Sequence, residues 1–326
     1  MFDKKADIPR IIEKLQVLSR RLSRSHPQYT ISMEHLAKRT AGYNGELSMD
    51  YPLSLLPAKT YRILQDIRFK NAINQFSQFD TLVLSQKFFM NLDVKNISGE
   101  IYFDQDFHQL VRTKNAMSEA FPDPIMQISY QETFLKKWLK EKANIPDIPI
   151  YSFVVISSPN TLIRASTKEQ RVTNKIFHRN YLPTKISQLE KIHLEPVLSD
   201  KELKRVSRKL IKAHTPNDSC VMEKYQLTEK DIRKGVHCPN CAFLPMQRIY
   251  GSWFCPSCQI KSKTAHISAL RDYSFLFGQS ITNREAREFL KLANHSITNR
   301  LLTSMNLAYI GGGKSRVYFL ENNLKD

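Results

Sequence analysis

No stretch of the 326-residue chain approaches the roughly 18 consecutive apolar residues needed to cross a bilayer, and the opening segment MFDKKADIPR is charged from its third residue. The expectation is a soluble, cytoplasmic protein without a membrane span. Internal repeats and low-complexity tracts are missing, and hydrophobic residues at 41% with charged residues at 25% exclude wholesale disorder. A disulfide framework is missing too: of five cysteines, four form two Cys-x-x-Cys pairs and Cys220 stands alone, a pattern of metal binding in a reducing compartment. Acidic residues are short, 31 against 49 Lys and Arg, for a net charge of +18. That surplus selects a polyanionic partner, nucleic acid first and an anionic membrane surface second.

At roughly 100–200 residues per domain, the length suggests two or three domains. Residues 8–24 carry Ile11, Ile12, Leu15, Leu18 and Leu22 at helical spacing, so residues 1–30 are expected to hold a basic amphipathic helix, docked on the next domain or, as the alternative, a separate basic arm that touches nucleic acid. Residues 31–215 read as one α/β domain. Its expected elements are a short helix at 33–39, a glycine-punctuated turn or helix start at 42–46, and strands at 61–69, 79–84, 88–94 and 100–103. A helix opened by Pro124 and a strand at 150–156, buried on both faces, follow. Between 161 and 215, 13 Lys and Arg stand against five Asp and Glu, leaving both a solvated face and phosphate contact open. Residues 216–236 read as a linker with a short helix N-capped by Thr228.

The run Phe89-Met90-Asn91-Leu92-Asp93-Val94-Lys95 has the two-residue period of a strand, with Met90, Leu92 and Val94 on one side and Asn91, Asp93 and Lys95 on the other. Asp80 lies thirteen residues earlier and reaches the same cleft if the two strands form a hairpin. Phosphodiester hydrolysis needs charge neutralised on the phosphoryl group and a hydroxide produced near neutral pH. Carboxylates holding Mg²⁺ or Mn²⁺, with a lysine beside them, meet both needs. The spacing resembles the PD-(D/E)XK nuclease signature.

Taken with Gly42-Tyr43-Asn44-Gly45-Glu46, Gln78-Phe79-Asp80, Asp93-Val94-Lys95-Asn96, Gly99-Glu100-Ile101 and Asp123-Pro124-Ile125-Met126-Gln127, residues 35 to 215 resemble the nuclease-related domain (NERD) family. The resemblance implies a restriction-endonuclease-like mixed sheet flanked by helices. It implies Asp80 and Asp93 as Mg²⁺ or Mn²⁺ ligands, and Glu46, Asp80, Asp93, Lys95 and Gln127 as the catalytic set. Asp93 departs from the glutamate usual in the family, which puts metal geometry and activity in question.

Cys238-Pro-Asn-Cys241 and Cys255-Pro-Ser-Cys258 are two knuckles separated by thirteen residues, able to aim four thiolates at one Zn²⁺ in a closed structural site. Residues 237–262 resemble a zinc ribbon with a hairpin turning near Gly251. Arg248, Tyr250, Trp253 and Phe254 either stack on a single strand or cover the metal, and His237 is a redundant ligand.

In residues 263–326, Thr282-x-x-Glu285 offers a capping box, and two short helices are followed by a hairpin with a basic tip. This resembles a helix-turn-helix with a wing, a winged-helix-like α+β module. Thr298, Asn299, Arg300 and Thr303 are its expected base or phosphate contacts, and Lys314 and Arg316 its backbone contacts. The Gly311-Gly312-Gly313-Lys314-Ser315 string is not a phosphate loop, because Ala308 stands where a glycine is required.

The expected function is a metal-dependent DNA nuclease, with the ribbon and the winged-helix-like module binding substrate. The alternative is a non-catalytic DNA-binding or regulatory protein on a degenerate nuclease scaffold. RNA remains open as a partner.

Overall fold

The computed structural model describes residues 2–71, 73–145, 147–166 and 170–320, apart from the side chains of Gln170, Arg171 and Lys314. It divides into two compact units, Met1–Pro9 with Lys38–Asn217 and Arg10–Ala37 with Asp218–Asp326. Helix α1 (Arg10–Arg21) belongs to the second, and the boundary falls inside α2 (Pro27–Leu47). The spans 237–262 and 263–326 both fall in the second unit. Helix α2 also replaces the short helix and turn read from the sequence, with Gly42 and Gly45 inside a helix that Pro27 opens.

The first unit is built on a six-stranded mixed sheet. Its strands are β1 (Phe2–Lys4), β2 (Arg62–Lys70), β3 (Phe76–Leu84) and β4 (Phe89–Lys95), and a second sheet follows with β5 (Glu100–Asp104), β6 (Gln109–Lys114) and β7 (Met117–Pro122). Strand β8 (Ile150–Ile156) returns to the first sheet, β9 (Leu162–Ala165) to the second and β10 (Ile176–His178) to the first. The large sheet runs β1-β2-β3-β4-β8-β10, antiparallel from β2 to β4 and parallel at β1-β2, β4-β8 and β8-β10. The smaller one runs β7-β6-β5-β9. The β6-β7 hairpin leaves no apolar pattern in the sequence, because apart from Leu110 and Phe121, which pack on a small core, its residues are mostly polar or exposed.

Helices cover both faces of the large sheet. After the short α3 (Asp50–Ser54) come α4 (Pro124–Trp138), the four-residue α5 (Gln170–Thr173), α6 (Leu182–Ile192) and α7 (Asp200–Ala213). One core joins Leu64, Phe69, Phe79 and Leu82 to Leu135 and Trp138 of α4 and Leu203 and Leu210 of α7. The other joins Ile63, Val83, Met90 and Leu92 to Leu53 of α3 and Ile186 of α6. Two local signals fix helix starts: Asp123 and Pro124 open α4, and Ser199 with Glu202 forms a capping box on α7.

The second unit has one continuous core. It runs from Leu15 and Leu18 of α1 through Trp253 and Cys255 to Leu270 and Phe289, then on to Leu302 and Tyr318. Its elements are α8 (Val221–Lys224), the three-stranded sheet β11 (Gln247–Ile249), β12 (Ser252–Phe254) and β13 (Lys261–Ser262), and α9 (Ala265–Phe277). Then come β14 (Ser280–Thr282), α10 (Asn283–Phe289), α11 (His295–Ser304), β15 (Tyr309–Ile310) and β16 (Val317–Phe319), the last sheet ordered β14-β16-β15. Helix α1, expected on the domain after it, is part of this core. Arg21, fully buried, holds Asp272 of α9 at 2.6 Å and stacks 4.6 Å over the Phe289 ring. The short helix expected after Thr228 is a single 3₁₀ turn, Glu229–Asp231.

Candidate active site and metal centres

Strand β4 alternates as its sequence predicts. Met90, Leu92 and Val94 enter a core, while Asn91, Asp93 and Lys95 face α4. The Asp123 carboxylate accepts from the Ile125 amide at 2.8 Å, which sets the phase of α4 and leaves Gln127 and Gln131 one turn apart on the side facing β4. Gln131 Oε1 accepts from Asn91 Nδ2 at 2.8 Å. Gln127 bridges the next two positions: its Nε2 donates to Asp93 Oδ1 at 2.8 Å and its Oε1 accepts from Lys95 Nζ at 3.0 Å. Lys95 Nζ also lies 2.9 Å from Asp93 Oδ2.

Asp80 joins this group because the ladder ends early. The β3-β4 register runs only from Leu84↔Phe89 to Thr81↔Leu92, and one residue further Asp80 Oδ2 accepts the Val94 amide at 2.8 Å. Glu46 arrives on the last turn of α2. A Cβ at Gly45 would lie 2.5 Å from Asn96 Cβ, and Asn96 Nδ2 donates to the Ala41 carbonyl at 2.7 Å, so the missing side chain lets this end of α2 close onto the end of β4.

Crowding acidic groups out of water raises their pKa. Burial, then the charge of Asp80, pushes the Glu46 carboxyl up to about 8. Burial, then the charge of Asp93, pushes Asp80 up to about 7. Burial raises Asp93 as well, opposed by the Lys95 ammonium. Asp93 is 1% exposed, with Gln127 on its Oδ1 and the Lys95 ammonium 2.9 Å from its Oδ2. A buried carboxylate beside a second carboxyl of raised pKa is an all-oxygen donor set that fits a hard divalent cation. Mg²⁺ is commonly held by one or two carboxylates with water.

Asp66 carries no mark in the sequence, where it reads as one more polar residue of a strand. It sits at φ 48° in the middle of β2, opposite Asp80 between the pairs Gln65↔Thr81 and Ile67↔Phe79, and its charge helps raise both Glu46 and Asp80. Lys4 Nζ grips the carbonyls of Gln65 and Asp66 at 2.9 and 3.0 Å.

Among the described residues, only the four cysteines bring three or more acidic, His or Cys ligand atoms within 4.8 Å of one another. The thiols of Cys238 and Cys258, and of Cys241 and Cys255, lie 3.5 Å apart. The β11-β12 hairpin turns at Gly251 with φ 71°, so the cluster is consistent with a zinc ribbon and can hold Zn²⁺. Trp253 is buried and donates to His266 Nδ1 at 3.2 Å, so it covers the core and offers no face to a strand. Tyr250, at the hairpin tip, is fully exposed. His237 lies outside the cluster, with Nε2 3.2 Å from the Arg20 carbonyl.

In the carboxy-terminal elements, the Thr282–Glu285 capping box forms as its sequence predicts, and Asn294 caps α11. Asn299, Arg300 and Thr303 are exposed. Thr298 corrects the expectation: it is fully buried, with its hydroxyl on the Asn294 carbonyl, because it shares a helical face with Leu301 and Leu302. Arg316 is half-buried over the Tyr309 ring at 4.2 Å, and the Lys314 side chain lies outside the described residues.

The first unit is thus a mixed α/β fold, consistent with a nuclease-like one. Residues 41–157 match the family model of the nuclease-related domain, a shorter span than the 35–215 resemblance, and it contains Glu46, Asp80, Asp93, Lys95 and Gln127. Comparison with curated proteins and with solved structures gave no match. No helix among the described residues is long and apolar enough to cross a membrane.

Proposed function

We propose that this protein is a divalent-metal-dependent nuclease that hydrolyses phosphodiester bonds of DNA. The observation that carries the proposal is the meeting of Asp80, Asp93, Lys95 and Gln127 where β3 parts from β4. Asp80 and Asp93 would hold the cation, Mg²⁺ or Mn²⁺, which when bound neutralises phosphoryl charge and lowers the pKa of water.

Lys95 supplies a cation beside the scissile phosphate and orients the attacking water. Gln127 holds the Lys95 ammonium and the Asp93 carboxylate in register, and Glu46, whose carboxyl is pushed up to about 8, would exchange a proton with water. The second unit contributes affinity through exposed Asn299, Arg300 and Thr303, with half-buried Arg316 beside them, of a winged-helix-like arrangement, with Zn²⁺ holding the ribbon together.

The test is cleavage of plasmid and oligonucleotide DNA with Mg²⁺ or Mn²⁺. Asp80→Ala, Asp93→Ala and Lys95→Ala are each expected to slow it by at least about 100-fold. Cleavage unchanged in all three would sink the proposal.

One observation favours a non-catalytic scaffold instead. Lys95 and Gln127 already engage both oxygens of Asp93, which is one methylene shorter than glutamate, so a cation must compete with them. Calorimetry decides: Mn²⁺ binding by wild type that is lost in Asp80→Ala supports the nuclease, and the absence of binding supports the scaffold.

A further inference from the structure

A groove of about 660 Å³ leads away from Gln127, between α4 and the β2-β3 hairpin. Along α4 it is lined by Gln127, Tyr130, Gln131 and Phe134, the i, i+3, i+4 and i+7 positions of one helical face. Across from them stand Asn71, Gln75, Phe76 and Gln78 of the hairpin. Tyr130 is 67% exposed and Phe76 40%. The Arg68 guanidinium lies 3.4 Å from the Phe76 ring centre and Lys70 Nζ 4.9 Å, Lys137 stands at the far end, and no carboxylate lines the groove among the described residues.

We infer that this groove binds an unpaired nucleic-acid strand and feeds it to the metal site, an inference that rests on the nuclease proposal. Aromatic faces, one-signed cations and side-chain amides are the three chemistries that a single strand uses: stacking, phosphate neutralisation and base-edge hydrogen bonding. A paired base has both faces covered by its neighbours and cannot stack on Tyr130. From Gln127 to Phe134 the helix advances by seven rises, about 10 Å, room for about three stacked bases. Continuity fixes the direction, because Gln127 at the head of the groove touches both Asp93 and Lys95. The same helical face that orders the catalytic amide therefore lines the track.

The test uses the full chain in EDTA, irradiated with a single-stranded oligonucleotide carrying 5-iodouracil, and maps crosslinks by mass spectrometry. Crosslinks at Tyr130 or Phe76 are expected, competed by unlabelled oligodeoxythymidylate and not by blunt duplex, with yield in Tyr130→Ala about tenfold lower. Crosslinks confined to other residues, or equal competition by duplex, would overturn the groove. Binding in EDTA requires no turnover, so the two proposals fail separately. A crosslink at Tyr130 in a protein that never cleaves with Mg²⁺ keeps the groove and removes the nuclease, and cleavage with crosslinks only elsewhere does the reverse.

Discussion

Asp80 shows how one side chain can both shape a sheet and store charge. By accepting the Val94 amide it stands in for a strand neighbour, and with burial and Asp93 acting on it, it stays partly protonated near neutral pH. Its folded pKa of about 7, and that of Glu46 of about 8, lie above ordinary carboxyl values near 4. Between those limits the folded chain holds more protons than the unfolded one, so these groups lose stabilising effect as pH rises from about 4 through about 8. Asp80→Asn keeps the acceptor for Val94 and removes the charge. In EDTA at pH 8 it is expected to raise the melting temperature by about 2–4 °C, with little change at pH 5, as read by scanning calorimetry. A lower melting temperature at pH 8 would contradict the electrostatic account. Much of this site is legible from residue types, since Asp93 and Lys95 share a strand face by period two and Asp123-Pro124 announces the helix that carries Gln127. Asp66 is not legible, because its backbone turns left-handed in mid-strand through contacts, including the Lys4 grip, that lie about sixty residues away.

At the scale of elements, α2 makes a sharp contrast between two glycines. Gly42 has open space where a Cβ would go, so Gly42→Ala is expected to stabilise by about 0.5–1 kcal/mol through helix propensity alone. Gly45→Ala puts that carbon 2.5 Å from Asn96 Cβ and is expected to destabilise by about 1–3 kcal/mol and to impair cleavage by moving Glu46. Chemical denaturation of the pair checks both signs. Helix α1 was legible as a helix from its apolar spacing. Its destination was not, because the partner that makes a buried arginine tolerable, Asp272, lies about 250 residues downstream. Asp272→Ala leaves Arg21 buried and unpaired, for an expected loss of about 3–5 kcal/mol. In α11, by contrast, the face shared by Thr298, Leu301 and Leu302 was available in the sequence and marks Thr298 as interior.

At the scale of the whole molecule, the +18 surplus is distributed unevenly. Some of the 49 Lys and Arg are internal, as with Arg21 on Asp272, or neutralised in place, as with Lys14 on Asp218 at 2.5 Å. The surplus after residue 161 includes the exposed Lys204, Arg205, Arg208, Lys209 and Lys212 of α7. DNA affinity is therefore expected to fall linearly in log–log form with salt, with a slope reporting the phosphates engaged, as measured by fluorescence anisotropy. Two compact units with separate cores also predict that chelating zinc lowers the melting of the unit holding Cys238 and Cys255 and leaves the sheet of the first unit in place. The most direct measurement of the central claim is the single-turnover rate of DNA cleavage with Mn²⁺ by wild type and by Asp80→Asn, the variant expected to fold more stably. The account predicts a rate at least about 100-fold lower in that better-folded variant. Cleavage by Asp80→Asn at the wild-type rate would contradict it.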